Sequence, residues 1–371
     1  MSSISVNTIT DASGGATTTV NGFTPTVSNM AGRNRIINGD MRIDQRNAGA
    51  SVTAAAGSTY GIDRWVSAAT QASKFTMQRS TDAPSGFNNS LLVTSSSAYS
   101  VTGNDYFSVH QVIEGYNVSD LNYGTASAQT ITFSFWVKSS LTGSFGGSIE
   151  NGAQNRCYSF AYTVSSANTW EYKTVTAVGD TTGTWNTDNT GGMIAWFGLG
   201  ASGTRVGTAG AWGTQSGSGL QPTGTVSVVG TSGATFYITG VQLEEGSVAT
   251  PFEHRQYGQE LALCQRYFQN AKYGINAVAF GVSNTYSGGD RVFLCGGSEF
   301  KVDMRAQPTI TLYSAQTRTL GQVSGYSSGT NYVVSSISSP DNRRIGLYLQ
   351  LASSPPVFDT LSFYFDASAE L

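Results

Sequence analysis

The segment Thr130–Ser140, TITFSFWVKSS, places Ile131, Phe133, Phe135 and Val137 on one side and Thr132, Ser134, Trp136 and Lys138 on the other. A period of two is the pleat of a β-strand, whereas a helix would bring apolar residues back every three or four positions. One greasy face and one hydroxyl-bearing face describe a half-buried strand, which needs a second layer to cover it. DYFSVHQVIEG repeats the pattern, with Phe107, Val109 and Ile113 in phase. GGMIAWFGLG is apolar on both faces around Ile194, Trp196 and Phe197, as a central or interface strand is. In ATFYITGVQLEEG the apolar phase passes from Phe236 and Ile238 to Val241 and Leu243, a one-residue slip across Gly240 that predicts a β-bulge. With Gly, Ser and Asn turns between the strands, the fold class expected is all-β. An antiparallel jelly-roll sandwich is followed by a short helix and a second, smaller β domain, with an extended N-terminal arm in front.

Composition narrows the function classes. The 371 residues have room for two or three domains, and only 12% are charged, about half the share usual in soluble proteins. Solubility then rests on hydroxyls, amides and the 44 glycines, a balance that suits an extracellular or virion protein. A net charge of -3 argues against nucleic-acid binding, which needs a basic patch to release counterions. Cys157, Cys264 and Cys295 are too widely spaced for a zinc motif and odd in number for a disulfide framework, so they read as buried thiols. No phosphate loop, HExxH helix or CxxC pair is present, and neither a cofactor nor a metal is expected. The polar start and the lack of a long apolar run predict synthesis in a cytoplasm and no membrane insertion. The sequons at Asn88 and Asn117 are then chance matches.

Four zones follow. Residues 1–32 form an arm with Ile4, Val6, Val20 and Phe23 around Gly14-Gly15, too little apolar surface to fold alone. It is either a flexible tail or a segment that orders against a partner chain. Residues 33–255 form the sandwich. Residues 256–270 form a connecting helix in which Tyr257, Leu261, Cys264 and Phe268 make one stripe, laid either on its own sandwich or against neighbouring copies. Residues 271–371 return to strands: AVAFGVSN, RVFLCGGSEF, TITLYSA, NYVVSSI, RRIGLYLQLA and TLSFYFDA. The last, so near the chain end, must be docked in a sheet.

Four phrases together resemble bacteriophage tail-fibre or tail-associated receptor-binding proteins: NRIINGDMRIDQRNAGASVTAAAGSTYGIDRW, QVIEGYNVSDLNYGTASAQTITFSFWVKSS, NTWEYKTVTAVGDTTGTW and GATFYITGVQLEEGSVATPFEHRQYGQELALCQRYF. The opening ISVNTITDASGGATTTVNG and the ending DASAEL are similar to the same family's arm and closing residues. The resemblance implies a carbohydrate-binding-module-like jelly roll, a homotrimer on the virion and attachment to another virion protein through the arm. It also implies contact with a bacterial surface polysaccharide, after assembly in the host cytoplasm.

Catalysis is weighed against this. His110 alternates within a strand and His254 precedes the helix, and both read as structural. Glu114, Glu150, Glu171, Asp180 and Asp188 could in principle supply a glycan-cleaving carboxylate pair, but a non-catalytic protein is expected. Sugar binding needs aromatic faces beside amides or carboxylates. GTWNTDNTGG offers Trp185, Asn186, Asp188 and Asn189, and EGYNVSDLNYG offers Tyr116, Asn117, Asp120 and Tyr123. Any of them could instead only pack the sandwich edge. Trp136 beside Lys138 is a third candidate, Trp170 and Trp196 read as core, and Trp212 fits either an exposed tip or a subunit contact. The alternative to receptor binding is a head or tail decoration or connector that makes only protein contacts.

Overall fold

The computed structural model describes residues 32–214, 221–270, 278–281, 291–293, 298–325, 329–338, 341–345, 348–351 and 360–371. The arm expected over 1–32 lies, except for Gly32, outside the described residues, as does Cys295. The chain divides into two compact units, one built mainly from Trp65–His254 and the other mainly from Arg255–Leu371.

The first unit contains β1 (Val52–Thr53), β2 (Gly57–Ile62), β3 (Trp65–Ala69), β4 (Phe75–Ser80), β5 (Ser90–Ser95), β6 (Tyr106–Glu114), β7 (Ile131–Ser139) and β8 (Gly143–Asn151). It continues with β9 (Arg156–Val164), β10 (Glu171–Ala177), β11 (Gly191–Ala201), β12 (Val206–Gly207), β13 (Trp212–Thr214), β14 (Gln221–Pro222) and β15 (Thr235–Glu245). A six-stranded sheet has the order β1-β4-β5-β15-β7-β10, and a seven-stranded sheet the order β13-β9-β8-β11-β6-β3-β2. Every pairing in the two sheets is antiparallel, whereas the separate β12–β14 pair is parallel. Hence the expected all-β antiparallel fold is the one observed.

Alternation builds the core between the two sheets. Ile131, Phe133, Phe135 and Val137 are all fully buried. Phe197 of β11 meets Phe135 edge-on at 4.9 Å and Phe133 at 5.4 Å. Each such ring contributes about 1.5–3 kcal/mol by leaving water. The opposite face of β7 is less open than its hydroxyls suggest. Thr132 and Ser134 are buried, and Lys138 is ion-paired with Asp82 while lying 4.3 Å from the Tyr237 ring centre. Trp170, expected in the core, donates from Nε1 to Asp82 at 3.1 Å and is only half-buried, because it covers that same lysine.

The slip at Gly240 is a bulge: the β15–β7 register shifts between Thr239 and Gln242. Gly240 has φ +59°, and a Cβ there would come within 2.6 Å of the Phe87 ring. The backbone next to the bulge is taken up by the segment that precedes β1. Asn34 donates to the Val241 carbonyl at 3.0 Å and accepts from Leu243 N–H at 3.1 Å, while Val241 N–H reaches Gly39 O at 3.0 Å. Gln111 exchanges two 2.8 Å hydrogen bonds with the Ile37 backbone. The phrases NRIING and GVQLEEG therefore have a shared structural reason, since each satisfies buried polar groups of the other.

The second unit holds α1 (Tyr257–Gln265), β16 (Phe268–Asn270), β17 (Val278–Gly281), β18 (Arg291–Phe293), β19 (Ser298–Glu299), β20 (Thr309–Ser314) and β21 (Gln322–Gly325). It ends with β22 (Asn331–Ser338), β23 (Arg344–Ile345), β24 (Tyr348–Leu351) and β25 (Thr360–Ser368). The terminal strand β25 is the hub, pairing with β16, β17, β20 and β21. Just beyond it, Glu370 pairs with Arg46 at 2.5 Å and with the buried Arg64. The Arg64 guanidinium lies 3.6 Å from the Tyr267 ring centre.

The expected stripe needs correction. The helix stops at Gln265, and Phe268 belongs to a strand paired with Ser368. Cys264 and Phe268 are buried within this unit, so they are not surface for a neighbouring copy. Of the four residues only Tyr257, 59% exposed, lies open, while Leu261 is half-buried.

Candidate functional site

The loop leaving β6 and the loop entering β11 must meet, because these strands are hydrogen-bonded neighbours and Glu114 stands opposite Gly191. Both loops are rich in aromatic and amide side chains. Gly115 N–H donates to Thr190 O at 2.8 Å, and Tyr116 N–H to Asp188 O at 2.9 Å. A Cβ at Gly115 would lie 2.5 Å from Asn186 O, so the approach requires glycine. Two short 3-10 turns, Gly115–Asn117 and Ser119–Leu121, carry the first loop to Asn122 in a left-handed conformation.

A buried ion pair fixes the second loop. Arg156 on β9 donates from Nε and Nη2 to Asp180 at 2.7 and 2.8 Å, and Asp180 also accepts from Thr182 N–H and Oγ1 at 3.1 and 3.0 Å. Burial pushes the Asp180 carboxyl up, yet the bonds from Arg156 and Thr182 outweigh it and hold the group below the usual carboxylate range. The hydrogen bond that Arg156 donates to Asp180 raises the arginine's own pKa in turn. The Asp180 carbonyl accepts from Gly124 N–H at 2.7 Å, which ties in the loop that carries Tyr123.

Three rings interlock above this clamp. Trp185 meets Tyr123 at 4.7 Å and Trp212 at 5.5 Å, and Tyr123 meets Trp212 at 5.8 Å, all close to perpendicular. Trp185 Nε1 donates to Thr182 O at 3.2 Å and Trp212 Nε1 to Val178 O at 2.6 Å. A cleft of about 140 Å³ opens beside them, lined among others by Val118, Asn122, Tyr123, Trp185, Asn186 and Met193. None of its lining residues carries a charge. Burial first, and Asp180 second, raise the Tyr123 phenol well above its ordinary pKa, so it remains a neutral hydroxyl.

The other candidates surround or support the cleft. Tyr116 is 60% exposed, and its backbone is bonded to the loop that supplies Asn186. Arg35 pairs with Asp120 at 2.5 Å and donates to Asn117 O at 3.3 Å, so these two belong to the scaffold. Asp188 is exposed and accepts from Thr190 Oγ1 at 2.5 Å and Thr190 N–H at 2.9 Å, bonds that lower its pKa. Asn189 is half-buried on the same loop. Asn186 spends its amide on Gly191 O at 3.0 Å while still lining the cleft. The sequence does not single out Asn122, Val118 or Met193, and it leaves open the surroundings of Trp212, which packs on Tyr158, Trp185 and Tyr123 of the same chain.

The remaining carboxylates and aromatics lie elsewhere. Glu150 is fully buried and accepts from Trp196 Nε1 at 3.1 Å, and His110 stacks on Trp196 at 3.7 Å. Cys157 nearby is pushed up to about 12, by burial first and by Glu150 second. Glu114 is buried at the end of β6, and Glu171 accepts from Ser165 and Ser166 N–H and pairs with Lys173. Trp136 packs on Tyr172 at 5.4 Å on the outer face of β7 and β10. His254 lies against Phe252 and Phe87. Among the described residues no group of three or more His, Cys, Asp or Glu is placed to hold a metal ion, and no helix is long and apolar enough to cross a membrane.

No family model matches the sequence, and no curated protein matches it. Solved structures overlap with it in part. The enzymatically active domain of tailspike protein 4 of bacteriophage CBA120 aligns with a TM-score of 0.33 and 12% identity over 57% of this chain, which spans 21% of that one. The CBM22-1 xylan-binding domain of Xyn10C from Paenibacillus barcinonensis aligns with a TM-score of 0.27 and 11% identity, covering 55% of this chain and 99% of that one. A family 11 carbohydrate-binding module from Clostridium thermocellum, in complex with a mixed-linked tetrasaccharide, gives 0.28 and 12%, covering 56% and 100%.

Proposed function

We propose that this protein is a non-catalytic virion component, a tail fibre or tail-associated receptor-binding protein that contacts a bacterial surface glycan through the cleft beside Trp185. The observation that carries this reading is the convergence of two separate loops on one uncharged cleft walled by Tyr123 and Trp185 and edged by Asn122 and Asn186. Aromatic faces suit the C–H side of a pyranose ring, and amides suit its hydroxyls. The clamp of Arg156 and Asp180 fixes the walls before any ligand arrives, which lowers the entropy cost of binding. The phage assignment rests on the order of the four resembling phrases, the arm's docking on another virion protein on the similarity of ISVNTITDASGGATTTVNG, and the homotrimer on that resemblance and on an arm with too little apolar surface to fold alone.

Binding of the purified protein to bacterial surface polysaccharides, together with its mass by light scattering, tests the reading. Binding that is lost in Trp185→Ala, at the mass of a trimer, is the expected result. A decoration or connector protein is the second reading, favoured by the perpendicular packing that engages Trp185 with Tyr123 and Trp212 inside the chain. Silence across surface glycans and failure to block adsorption of virus to cells would select it.

A further inference from the structure

Resting on the reading of the cleft as a glycan site, we infer that it takes one uncharged sugar ring, and that Tyr116 outside it provides the face for a second. Size and lining set the first half. Drug-sized ligands occupy pockets of about 300–1,000 Å³, and a cleft of about 140 Å³ whose lining includes Trp185 and Asn122 has room for a single ring. Such a site reads a chain end or a branch.

Charge sets the preference for a neutral sugar. No lining residue is cationic. The two arginines bonded into these loops are committed, Arg35 to Asp120 and Arg156 to Asp180. Asp188 adds an exposed carboxylate on the loop that supplies Asn186, with hydrogen bonds from Thr190 favouring its charged form. A uronate or sialate would enter a cleft whose lining carries no cation and whose neighbouring loop bears that carboxylate.

Tyr116 completes the site. It lies two positions before Val118, which lines the cleft, and its N–H is bonded to the carbonyl of Asp188, next to Thr187, which lines the cleft from the other loop. That bond and the glycine-only contact at Gly115 hold its backbone in place, while the residue as a whole is 60% exposed. A large apolar ring kept open on a fixed backbone beside an aromatic cleft is placed to stack on the sugar that follows the one inside.

Calorimetric titration of the intact protein with neutral methyl hexosides, their matching methyl disaccharides and methyl hexuronides tests the inference. Wild type should bind the best neutral disaccharide about five- to tenfold more tightly than its monosaccharide, and hexuronides at least about tenfold more weakly than hexosides. Tyr116→Ala should remove the gain from the second ring and leave monosaccharide affinity unchanged, whereas Trp185→Ala should remove both. If Tyr116→Ala keeps the disaccharide gain, or if hexuronides bind as well as hexosides, the inference falls and the glycan site stands. If no saccharide binds while the protein retains its native near-ultraviolet spectrum, the underlying reading falls with it.

Discussion

Replacing Asp180 with alanine tests whether the ion pair beneath the cleft is what shapes it. Arg156 and Asp180 are 13% and 3% exposed at their side chains, so the guanidinium left behind would be only partly hydrated. Removing one partner of a buried pair costs about 3–5 kcal/mol, and the limited water access at Arg156 places this variant near 3 kcal/mol. The two bonds from Thr182 add little, since that residue is exposed and water can replace them. For a unit of this size, about 3 kcal/mol lowers the melting temperature by about 6–12 °C. Calorimetry should show that loss in the first unit, and the near-ultraviolet signal of the packed Trp185 and Trp212 should weaken in the folded state. Arg156→Met combined with Asp180→Ala should cost less than the sum of the single changes. The sign with pH follows from the direction of the shift. A carboxyl held below its unfolded pKa stabilises above about pH 4, and that contribution is lost as pH falls through the folded value. Acid sensitivity of the first unit should thus diminish in the variant. A melting temperature within about 2 °C of wild type, with unchanged tryptophan signals, would mean that the ion pair does not shape the cleft.

Three further outcomes follow from other sites. Glu370→Gln removes the carboxylate that the buried Arg64 and the neighbouring Arg46 share, so the second unit should lose about 3 kcal/mol, read as a urea midpoint lowered by about 1 M or more. Burial raises Asp63 to about 6 against the pull of Arg46 and Gln45. Its folded pKa exceeds the unfolded one, so the stability it gives is full below about pH 4 and is lost as pH rises through about 6; urea titrations at pH 4 and pH 7 should show that loss, and Asp63→Asn should remove that pH dependence. Gly240→Ala puts a side chain at φ +59° against Phe87 and should cost about 1–3 kcal/mol in thermal denaturation.

Much of the fold was legible because a strand covered on one face writes its burial into every second residue, as Phe133, Phe135 and Val137 do. The bulge was legible for the same reason, since a slip of one residue at Gly240 reverses the apolar phase. What failed was whatever depended on distant partners. The stripe from Tyr257 to Phe268 continues a helical spacing, yet the chain leaves the helix after Gln265 because β16 finds β25, a strand near the other end of the unit. Trp170 looked like core, but its place is decided by Lys138 and Asp82, which no local pattern links to it. The site was legible as two loops rich in aromatics and amides. That they share one cleft follows from the pairing of β6 with β11, and that Arg156 holds them follows from the neighbouring edge of the sheet. Neither relation is written in the spacing of residues.

The most direct measurement follows the six tryptophan indole N–H signals by nuclear magnetic resonance while neutral saccharides are added. With signals assigned through single Trp→Phe variants, a sugar seated in the cleft should move Trp185 first and furthest and Trp212 next through their contact, while Trp136 and Trp170 stay in place. Movement of Trp136 or Trp170 while Trp185 remains still would contradict a sugar site there.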